Sequence, residues 1–187
     1  PISGLSMDTK KVKDRIFEEF ISEEEILEKV EEIARAIDND HKSYELLFIS
    51  ILNGSYVFTA DLLRHFDRNL RVSFLKLASY EGLKSSGNVR RLIGLTEDLR
   101  GRTVIIIEDI IDTGQTLDGV IEDLKEKGAE DIKVAALLVK PDAYTGTHEI
   151  DYTGFEIPND FVIGYGLDWD GYGRNFRSVY RITDRKE

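Results

Sequence analysis

The stretch TVIIIEDIIDTGQTL, Thr103–Leu117, joins an apolar run to a polar turn that contains a glycine. The apolar run is the pattern of a strand that is covered on both faces of its sheet. The DTGQT segment is typical of a turn that enters the N-terminus of a helix. Such a turn can present several main-chain N–H groups to a phosphate, and the helix dipole favours the negative charge. The stretch therefore predicts a phosphate site beyond the end of a buried strand.

Polar side chains are concentrated in the same stretch. Glu108 and Asp109 do not bind phosphate directly, but they can accept hydrogen bonds from sugar hydroxyls or orient hydrated magnesium. Two threonine hydroxyls add donors to the turn: Thr113 and Thr116. For an isolated DTG, the simpler interpretation is that Asp112 caps the helix and Gly114 makes the turn. The clustering favours a ligand site instead, in which the acids bind ribose and the turn that follows them in the chain binds phosphate.

The neighbouring segments alternate between strand and helix patterns. A capping box at Ser22 and Glu25 predicts an amphipathic helix. Its apolar stripe is Ile26, Leu27, Val30, Ile33, Ala34 and Ile37. Further strands are predicted at ELLFISIL, LRVSFLKLASY, RTVIIIEDII and IKVAALLV, and further helices at YVFTADLLRHF and TLDGVIEDLKEKG. In EGLKSSGNVRR, residues 81–91, apolar residues do not recur at the spacing of a helix or a strand, so this segment is predicted to be a loop.

This order of elements predicts an α/β fold. Strands that alternate with helices pair in parallel, so we expect a central, mainly parallel sheet with helices on its faces. Ligands of such sheets bind beyond the carboxyl ends of the strands. The acidic turn after RTVIIIEDII falls at that edge.

Length and composition limit the class of protein. The 187 residues show no obvious linker, so we expect a single domain, residues 1–187. The absence of cysteine excludes disulfides and thiolate chemistry and suits the cytoplasm. No apolar run approaches the roughly 20 residues of a membrane helix, so we expect a soluble protein without a membrane partner. A net charge of −11 makes nucleic acid an unfavourable partner.

Common catalytic and nucleotide motifs do not account for the acidic turn. The sequence contains neither G-x-x-x-x-G-K-[ST] nor G-x-G-x-x-G, and it also lacks H-E-x-x-H and G-x-S-x-G. Chemistry of the P-loop, dinucleotide, zinc-hydrolase or serine-esterase kind is therefore unsupported. The three histidines, His41, His65 and His148, are predicted to be ordinary surface residues.

The segment VIIIEDIIDTGQT resembles the phosphoribosyl pyrophosphate signature of the type I phosphoribosyltransferases. Other segments resemble the hypoxanthine-guanine branch of that family: LNGSYVFTADL, SYEGLKSSG, LLVKPD and GFEIPNDFVIGYGLDWDGYGRN. Together they span most of the chain from Leu52 to Asn175. The resemblance implies the type I phosphoribosyltransferase fold with a small hood over the site. It also implies a purine salvage reaction: phosphoribosyl pyrophosphate and hypoxanthine or guanine give IMP or GMP and pyrophosphate, with Mg²⁺ as cofactor.

The resemblance also implies roles for the signature residues. Asp112 would be the catalytic general base, which takes a proton from purine N7. The main chain of the DTGQT turn would hold the 5′-phosphate, while Glu108 and Asp109 face the ribose and the positive charge that develops on it. The implied contacts of phosphoribosyl pyrophosphate are Glu108, Asp109, Asp112, Thr113, Gly114, Gln115, Thr116, Asn53, Gly54 and Arg174. The implied metal ligands are Glu108, Asp109 and Asp168.

The later segments imply the purine contacts, which are Lys140, Phe161, Val162 and Asp168. Lys140 would donate to a 6-oxo oxygen and would not pair usefully with the amino group of adenine. Phe161 would stack on the base, the Val162 carbonyl would accept from the purine edge, and Trp169 would add a wall to the pocket. Taken alone, Lys140 indicates a solvated lysine at a strand end, and Phe161 indicates a core residue.

Two loops complete the implied site. LNGS resembles the pyrophosphate loop, in which the family often has a cis peptide, here the bond Leu52–Asn53. Many relatives have lysine where this chain has Asn53, so only the main-chain contacts of the loop are carried over. SYEGLKSSG resembles a mobile flap that closes over the ligands and excludes water, with Ser79 and Tyr80 as its leading contacts.

Two other functions stay open at this point. One is a regulator of the same fold that binds RNA through a basic face made of Arg64, Arg68, Arg71, Arg90 and Arg91. The other is a transferase for another base, such as xanthine, adenine or a pyrimidine, with different contacts at Lys140 and Asp168. The choice among hypoxanthine, guanine and xanthine depends on carbonyl positions around Val162 and Asp168. Family resemblance also implies a homodimer or homotetramer.

Overall fold

The computed structural model describes residues 8–42, 45–78 and 90–183. Its helices are α1 Glu23–Asp40, α2 Tyr56–Leu63 and α3 Gln115–Glu126. Its strands are β1 Thr9–Val12, β2 Arg15–Ile21, β3 Leu46–Leu52, β4 Arg71–Ala78, β5 Arg90–Ile93, β6 Thr103–Ile111, β7 Asp131–Val139, β8 Tyr152–Glu156, β9 Val162–Ile163 and β10 Val179–Ile182. Within these described ranges, no helix is both long and apolar enough to cross a membrane.

Strand β6, which contains the apolar half of the opening stretch, lies inside the larger sheet. The strand order of this main sheet is β5-β4-β3-β6-β7-β8. Strands β4, β3, β6, β7 and β8 are parallel, and β5 pairs antiparallel with β4 at one edge. Because β6 has neighbours on both sides and side chains on both faces, residues 104–107 are completely buried. The predicted α/β fold with a mainly parallel sheet flanked by helices is confirmed.

A second, antiparallel sheet contains both ends of the described chain. Its order is β1-β2-β10-β9, and it is called the small sheet below. Its strands were not located from the sequence because they are short and mix charged with apolar residues. The predicted loop at residues 81–91 also needs a correction. Arg90 and Arg91 belong to β5, because β4 offers them an edge with which to pair.

The core has a layer on each face of the main sheet. On one face, α1 and α2 cover β3 and β6, and residues of the small sheet join the same apolar cluster, for example Phe48, Phe58, Ile107, Val162 and Val179. On the other face, Leu117 and Leu124 of α3 pack with Ile49 and Ile106 of the sheet. The first cluster therefore holds the small sheet against the main sheet, above the carboxyl ends of its strands.

Helix α1 begins with the predicted capping box. Ser22 Oγ accepts from the Glu25 N–H at 3.3 Å, and Glu25 Oε2 accepts from the Ser22 N–H at 2.9 Å. The buried stripe contains Ile26, Val30, Ile33, Ala34 and Ile37. The prediction for Leu27 was wrong, since its side chain is 40% exposed. Leu27 lies about 100° around the helix from Ile26, which turns it towards the solvent side of the stripe.

The prediction for His41 was also wrong. This histidine at the end of α1 is buried, and its Nε2 lies 3.1 Å from the Tyr152 hydroxyl. The same hydroxyl donates to Asp40 Oδ2 at 2.9 Å, which ties α1 to β8. His65 is exposed, as predicted.

Candidate active site

The candidate site lies at the carboxyl ends of β3, β6 and β7, where the loops that follow these strands meet the loop after β9. The parallel register brings the pyrophosphate loop at Asn53, the acidic turn at Asp112 and the strand-end Lys140 to one edge of the sheet. The loop after β9 reaches this edge at Gly166. A Cβ on Gly166 would lie 2.0 Å from the Gly54 carbonyl oxygen, so the two backbones are in direct contact.

The turn from Asp112 to Thr116 leads into α3, as predicted. Gly114 is the N-cap residue and has a φ of 82°, a left-handed conformation that glycine adopts without strain. The simpler interpretation of Asp112 was wrong, because this residue does not cap the helix. The first N–H groups of α3, at Gln115 and Thr116, have no acceptor within the helix. The turn and helix terminus thus have the form that binds phosphate.

Lys140 and Asp112 form an ion pair, with 3.2 Å between Nζ and Oδ2. Lys140 is only 9% exposed, so its interpretation as a solvated lysine was wrong. Its main-chain N–H donates to the Ile111 carbonyl at 3.0 Å, which fixes the end of β7 beside the end of β6. The Asp112 side chain remains 56% exposed. The pair therefore presents a cationic donor and a carboxylate acceptor side by side at the ligand edge.

Glu108 and Asp109 are acids in a poorly solvated position. Burial raises the pKa of Glu108 well above its usual value, and the charge of Asp109 adds to this effect. Burial also raises the pKa of Asp109 to about 6. Main-chain N–H groups and Arg174 oppose that rise in the pKa of Asp109, while the charge of Asp168 adds to it. Positive charge on a ligand would favour the ionised forms of both acids. Strongly shifted pKa values of this kind are typical of functional sites.

The pyrophosphate loop has the conformation that the resemblance implied, since the Leu52–Asn53 peptide is cis. Gly54 faces β6, and a Cβ at this position would lie 1.7 Å from Asp109 Oδ2. A larger residue at this position would therefore require the Asp109 side chain to move. Ser55 is buried beneath the loop, where its hydroxyl lies 2.7 Å from that of Ser50.

Arg174 and Asp168 form an ion pair in the loop after β9, with 2.9 Å between Nη2 and Oδ1. Arg174 Nη1 also donates to the Gly166 carbonyl at 2.7 Å, and Asp168 Oδ2 accepts from the Gly171 N–H at 2.7 Å. Because the charges of both residues shift the pKa of Asp109, the three groups share one electrostatic environment. The structure thus brings Asp109, Asp168 and Arg174 to the same side of the site.

Phe161 and Trp169 make a T-shaped aromatic pair, with ring centroids 5.1 Å apart and an interplanar angle of 86°. Phe161 is 41% exposed, so its interpretation as a core residue was wrong. The Phe161 carbonyl accepts from the Ile182 N–H at 2.9 Å, and Val162 pairs with Arg181 across the small sheet. The small sheet therefore holds an exposed aromatic ring that can stack on a planar base.

Some residues of the site were missed by the sequence analysis. Residues 141–148, called the Tyr144 loop below, lie against the acidic turn, and a Cβ on Gly114 would be 2.3 Å from Tyr144 Cε2. The Tyr165 hydroxyl donates to Asp61 Oδ2 at 2.6 Å, which joins the loop after β9 to α2. No local sequence pattern marks these contacts, because each joins residues that are far apart in the chain. The predicted flap residues, Ser79 and Tyr80, lie outside the described residues.

Comparisons with known proteins decide the family. The phosphoribosyl transferase domain family matches residues 18–170. The hypoxanthine-guanine phosphoribosyltransferase of Aquifex aeolicus is 35% identical over 177 residues, which cover 94% of this chain and 99% of the relative. The enzyme of that name from Lactococcus lactis is 41% identical over 160 residues, covering 85% of this chain and 87% of the relative.

The structural comparison agrees. The hypoxanthine phosphoribosyltransferase of Trypanosoma cruzi, solved in complex with the product IMP, superposes with a TM-score of 0.84 at 34% identity and covers 94% of this chain and 98% of that chain. The Staphylococcus aureus enzyme superposes with a TM-score of 0.83 at 32% identity, covering 88% of this chain and 90% of that one. This chain belongs to the hypoxanthine-guanine phosphoribosyltransferases.

Membership of the hypoxanthine-guanine phosphoribosyltransferase family confirms the resemblance drawn from VIIIEDIIDTGQT and the segments around it. In this phosphoribosyltransferase, the acidic turn, the pyrophosphate loop, Lys140 and the Asp168–Arg174 pair lie around one edge of the main sheet. The role of each side chain in the reaction stays a prediction.

Proposed function

We propose that this protein transfers the phosphoribosyl group of phosphoribosyl pyrophosphate to hypoxanthine or guanine, and releases IMP or GMP and pyrophosphate. The observation that carries the proposal is the Lys140–Asp112 pair beside the phosphate turn, with 3.2 Å between its charged atoms. In a 6-oxopurine, the C6 oxygen accepts a hydrogen bond and N7–H donates one along the same edge of the base. The ion pair offers a matching donor and acceptor, and Phe161 offers a ring on which the base stacks.

In the proposed reaction, purine N9 forms a bond to C1 of the ribose as the bond from C1 to pyrophosphate breaks. N9 supplies its lone pair to the new bond, and the proton on N7 passes to the Asp112 carboxylate, so the purine ring stays neutral. A general base in such a position typically contributes about 10²–10⁴ in rate. Lys140 holds the C6 oxygen and so orients N9 towards the sugar.

Charge separation accompanies the departure of pyrophosphate. Positive charge grows at C1 of the ribose, and the carboxylates of Glu108 and Asp109 stabilise it. Negative charge grows on the leaving oxygens, where the main-chain N–H groups at Asn53 and Gly54 and the guanidinium of Arg174 bind. The turn of residues 112–116 holds the 5′-phosphate throughout, and this fixes C1 relative to the base.

We propose Mg²⁺ as the cofactor. Asp109 and Asp168 fit this ion, because the charge of Asp168 helps to raise the pKa of Asp109 and a divalent cation would relieve that repulsion. Mg²⁺ usually binds one or two carboxylates together with substrate phosphates. The site therefore needs no cluster of three protein ligands, and residues 8–42, 45–78 and 90–183 form none. Glu108 is the further predicted ligand, and the bound ion would neutralise charge on the leaving pyrophosphate.

Nucleotide formation from single bases tests this proposal. With phosphoribosyl pyrophosphate and Mg²⁺, we expect hypoxanthine or guanine to give the nucleotide. We expect adenine to be slower by about 10⁴–10⁵, because its amino group would face the ammonium of Lys140 and leave it unpaired. Xanthine is tested in the same assay, because the choice among the three 6-oxopurines is open. Equal rates with adenine, or no product with any 6-oxopurine, would contradict the proposal, and Lys140→Ala should reduce the discrimination against adenine.

We propose small molecules in the cytoplasm, and not RNA, as the partners of this protein. Two arginines of the predicted basic face have acidic neighbours. Arg68 Nε lies 3.1 Å from Asp38 Oδ1. Arg71 Nε lies 2.7 Å from Glu45 Oε1. These acids offset the positive charge that a phosphate backbone would require. Filter binding of RNA at low salt should show no retention, and retention that falls with added salt would overturn this part of the proposal.

We propose that the protein assembles as a homodimer or homotetramer through α2 and β4. Tyr56, Val72 and Phe74 are 43%, 43% and 40% exposed. Val72 and Phe74 pair in register with Phe48 and Ser50 of β3, so they lie on the sheet face that α2 covers. Large apolar side chains that share one exposed face are typical of an interface. Light scattering should give a dimer or tetramer mass that falls in Phe74→Arg, and a monomeric wild type would contradict this.

A further inference from the structure

The Tyr144 loop contacts the phosphate turn at several points. The Tyr144 ring occupies the space beside Gly114, where a Cβ would lie 2.3 Å from Cε2. The Thr145 N–H donates to the Thr113 carbonyl at 3.0 Å, and the Thr145 hydroxyl donates to the same oxygen at 3.3 Å. Two donors from one residue therefore converge on a single carbonyl of the turn.

These two hydrogen bonds fix the orientation of one peptide. The carbonyl of Thr113 and the N–H of Gly114 belong to the same planar trans peptide, so they point in opposite directions. Because the carbonyl points at Thr145, the Gly114 N–H points away from Thr145. The Tyr144 ring packs against Gly114 where a Cβ would lie, and it prevents the turn from moving towards the Tyr144 loop.

The loop is itself held at both ends. It leaves β7 directly after Lys140, whose carbonyl accepts from the Tyr144 N–H at 3.1 Å. Its far end returns to α3, where the Thr147 N–H lies 3.2 Å from both carboxylate oxygens of Asp118. The Tyr144 hydroxyl donates to the His148 carbonyl, which closes the loop on itself. The loop therefore connects the lysine of the purine site to the turn of the phosphate site.

We infer that Tyr144 and Thr145 are positioning residues for the 5′-phosphate, which they serve by holding the Thr113–Gly114 peptide with its N–H aimed at the ligand. This inference rests on the proposed function, because it takes the turn of residues 112–116 as the phosphate site. Neither side chain touches the reacting atoms. Their effect is on the alignment of a main-chain donor, and a charge-assisted hydrogen bond depends on that alignment.

Steady-state kinetics of Tyr144→Ala test the inference, with Tyr144→Phe and Asp142→Ala as matched variants. Tyr144→Ala should raise the KM for phosphoribosyl pyrophosphate roughly tenfold, the loss expected from one misaligned hydrogen bond to a charged group. The KM for hypoxanthine should stay within about twofold. Tyr144→Phe keeps the ring against Gly114 and loses only the hydrogen bond to the His148 carbonyl, so it should raise the KM for phosphoribosyl pyrophosphate less than Tyr144→Ala does. Asp142, exposed in the same loop, should tolerate alanine.

Ribose 5-phosphate titrated into each variant by calorimetry gives a readout that is independent of turnover. A wild type that forms no nucleotide would refute the proposed transferase, while weaker binding of ribose 5-phosphate to Tyr144→Ala would still support the loop's role. An unchanged KM and unchanged binding in Tyr144→Ala would overturn the inference, as would an equal rise in both KM values. If Tyr144→Ala does not fold, Thr145→Val decides. Weaker binding of ribose 5-phosphate is expected, and unchanged binding overturns the inference.

Discussion

Asp112 is the residue whose position says most about the chemistry. Its side chain is more than half exposed and lies against Lys140, whose own side chain is nearly buried. The lysine therefore has a fixed position, while the carboxylate faces the ligand side of the edge. When the purine enters, the exposed Asp112 carboxylate can exchange its hydrogen bond with Lys140 for one with N7–H. A general base requires such a contact with the proton that it takes.

Asp112→Asn should lower kcat by about 10²–10⁴, because asparagine retains an acceptor but cannot take a proton. The KM for phosphoribosyl pyrophosphate should change little, since the main chain of the turn is intact. Steady-state assays with hypoxanthine provide the measurement, and Asp142→Asn serves as the control acid. Full turnover in Asp112→Asn would show that the proton leaves by another route.

Asp109 gives a prediction about stability, since burial raises its pKa from the ordinary value of 3.8 to about 6. Between those pH values the folded protein keeps a proton that the unfolded chain has lost. The free energy of unfolding therefore falls as pH rises through this window and stays lower above it. In buffer with a metal chelator, Asp109→Asn should raise the free energy of unfolding at pH 7.5 by about 1–3 kcal/mol.

The control for this prediction is Asp98, whose pKa its hydrogen bonds with Arg100 lower to about 2. Ionisation of Asp98 favours the folded state, so Asp98→Asn should shift stability at pH 7.5 in the opposite direction. Urea unfolding at pH 5 and pH 7.5 measures both variants. A loss of stability in Asp109→Asn at pH 7.5 would show that the carboxylate is satisfied in the ligand-free protein.

Among the elements, the contact between the pyrophosphate loop and the loop after β9 depends on glycine. Gly166 has a φ of 101°, and its missing Cβ leaves room for the Gly54 carbonyl. Gly166→Ala should cost about 3 kcal/mol of stability and most of the activity, because both loops must move apart. Gly101→Ala is the matched control, since Gly101 has a φ of 69° but meets its nearest neighbour at 3.8 Å.

For Gly101→Ala, we expect only the cost of the left-handed backbone, about 1–2 kcal/mol, with activity retained. Thermal unfolding and turnover measured on both variants separate backbone strain from the loop contact. Equal losses in the two variants would mean that the contact at Gly166 does not organise the site.

The elements predicted best from sequence are the buried strands β3, β6 and β7. Each is a continuous apolar run that ends in polar residues, so local pattern was sufficient. The strands of the small sheet were missed because their pairing brings Phe17 of the N-terminal region beside Ile182 near the end of the chain. The contact of Tyr144 with Gly114 was missed for the same reason, because a contact between two loops leaves no repeating pattern in the local sequence.

At the scale of the whole molecule, the proposed single domain depends on a shared core. The cluster under α1 and α2 contains Phe48 and Ile107 of the main sheet together with Val162 and Val179 of the small sheet. Apolar residues that pack in one cluster cannot be exposed separately without loss of burial free energy on both sides. The two sheets should therefore unfold together.

Calorimetry of the ligand-free protein should show one transition, with the calorimetric enthalpy equal to the van't Hoff enthalpy per cooperative unit. Phe48→Ala should lower the midpoint of that transition without splitting it, at a cost of about 3–5 kcal/mol. Two resolved transitions, or a variant that unfolds only one part of the protein, would contradict the single domain.

A crystal structure with IMP bound tests the central claim most directly. The account predicts the 5′-phosphate on the main-chain N–H groups of residues 112–116, the C6 oxygen within hydrogen-bond distance of Lys140 Nζ, and N7 beside the Asp112 carboxylate. IMP bound elsewhere, or bound with its phosphate away from this turn, would contradict it.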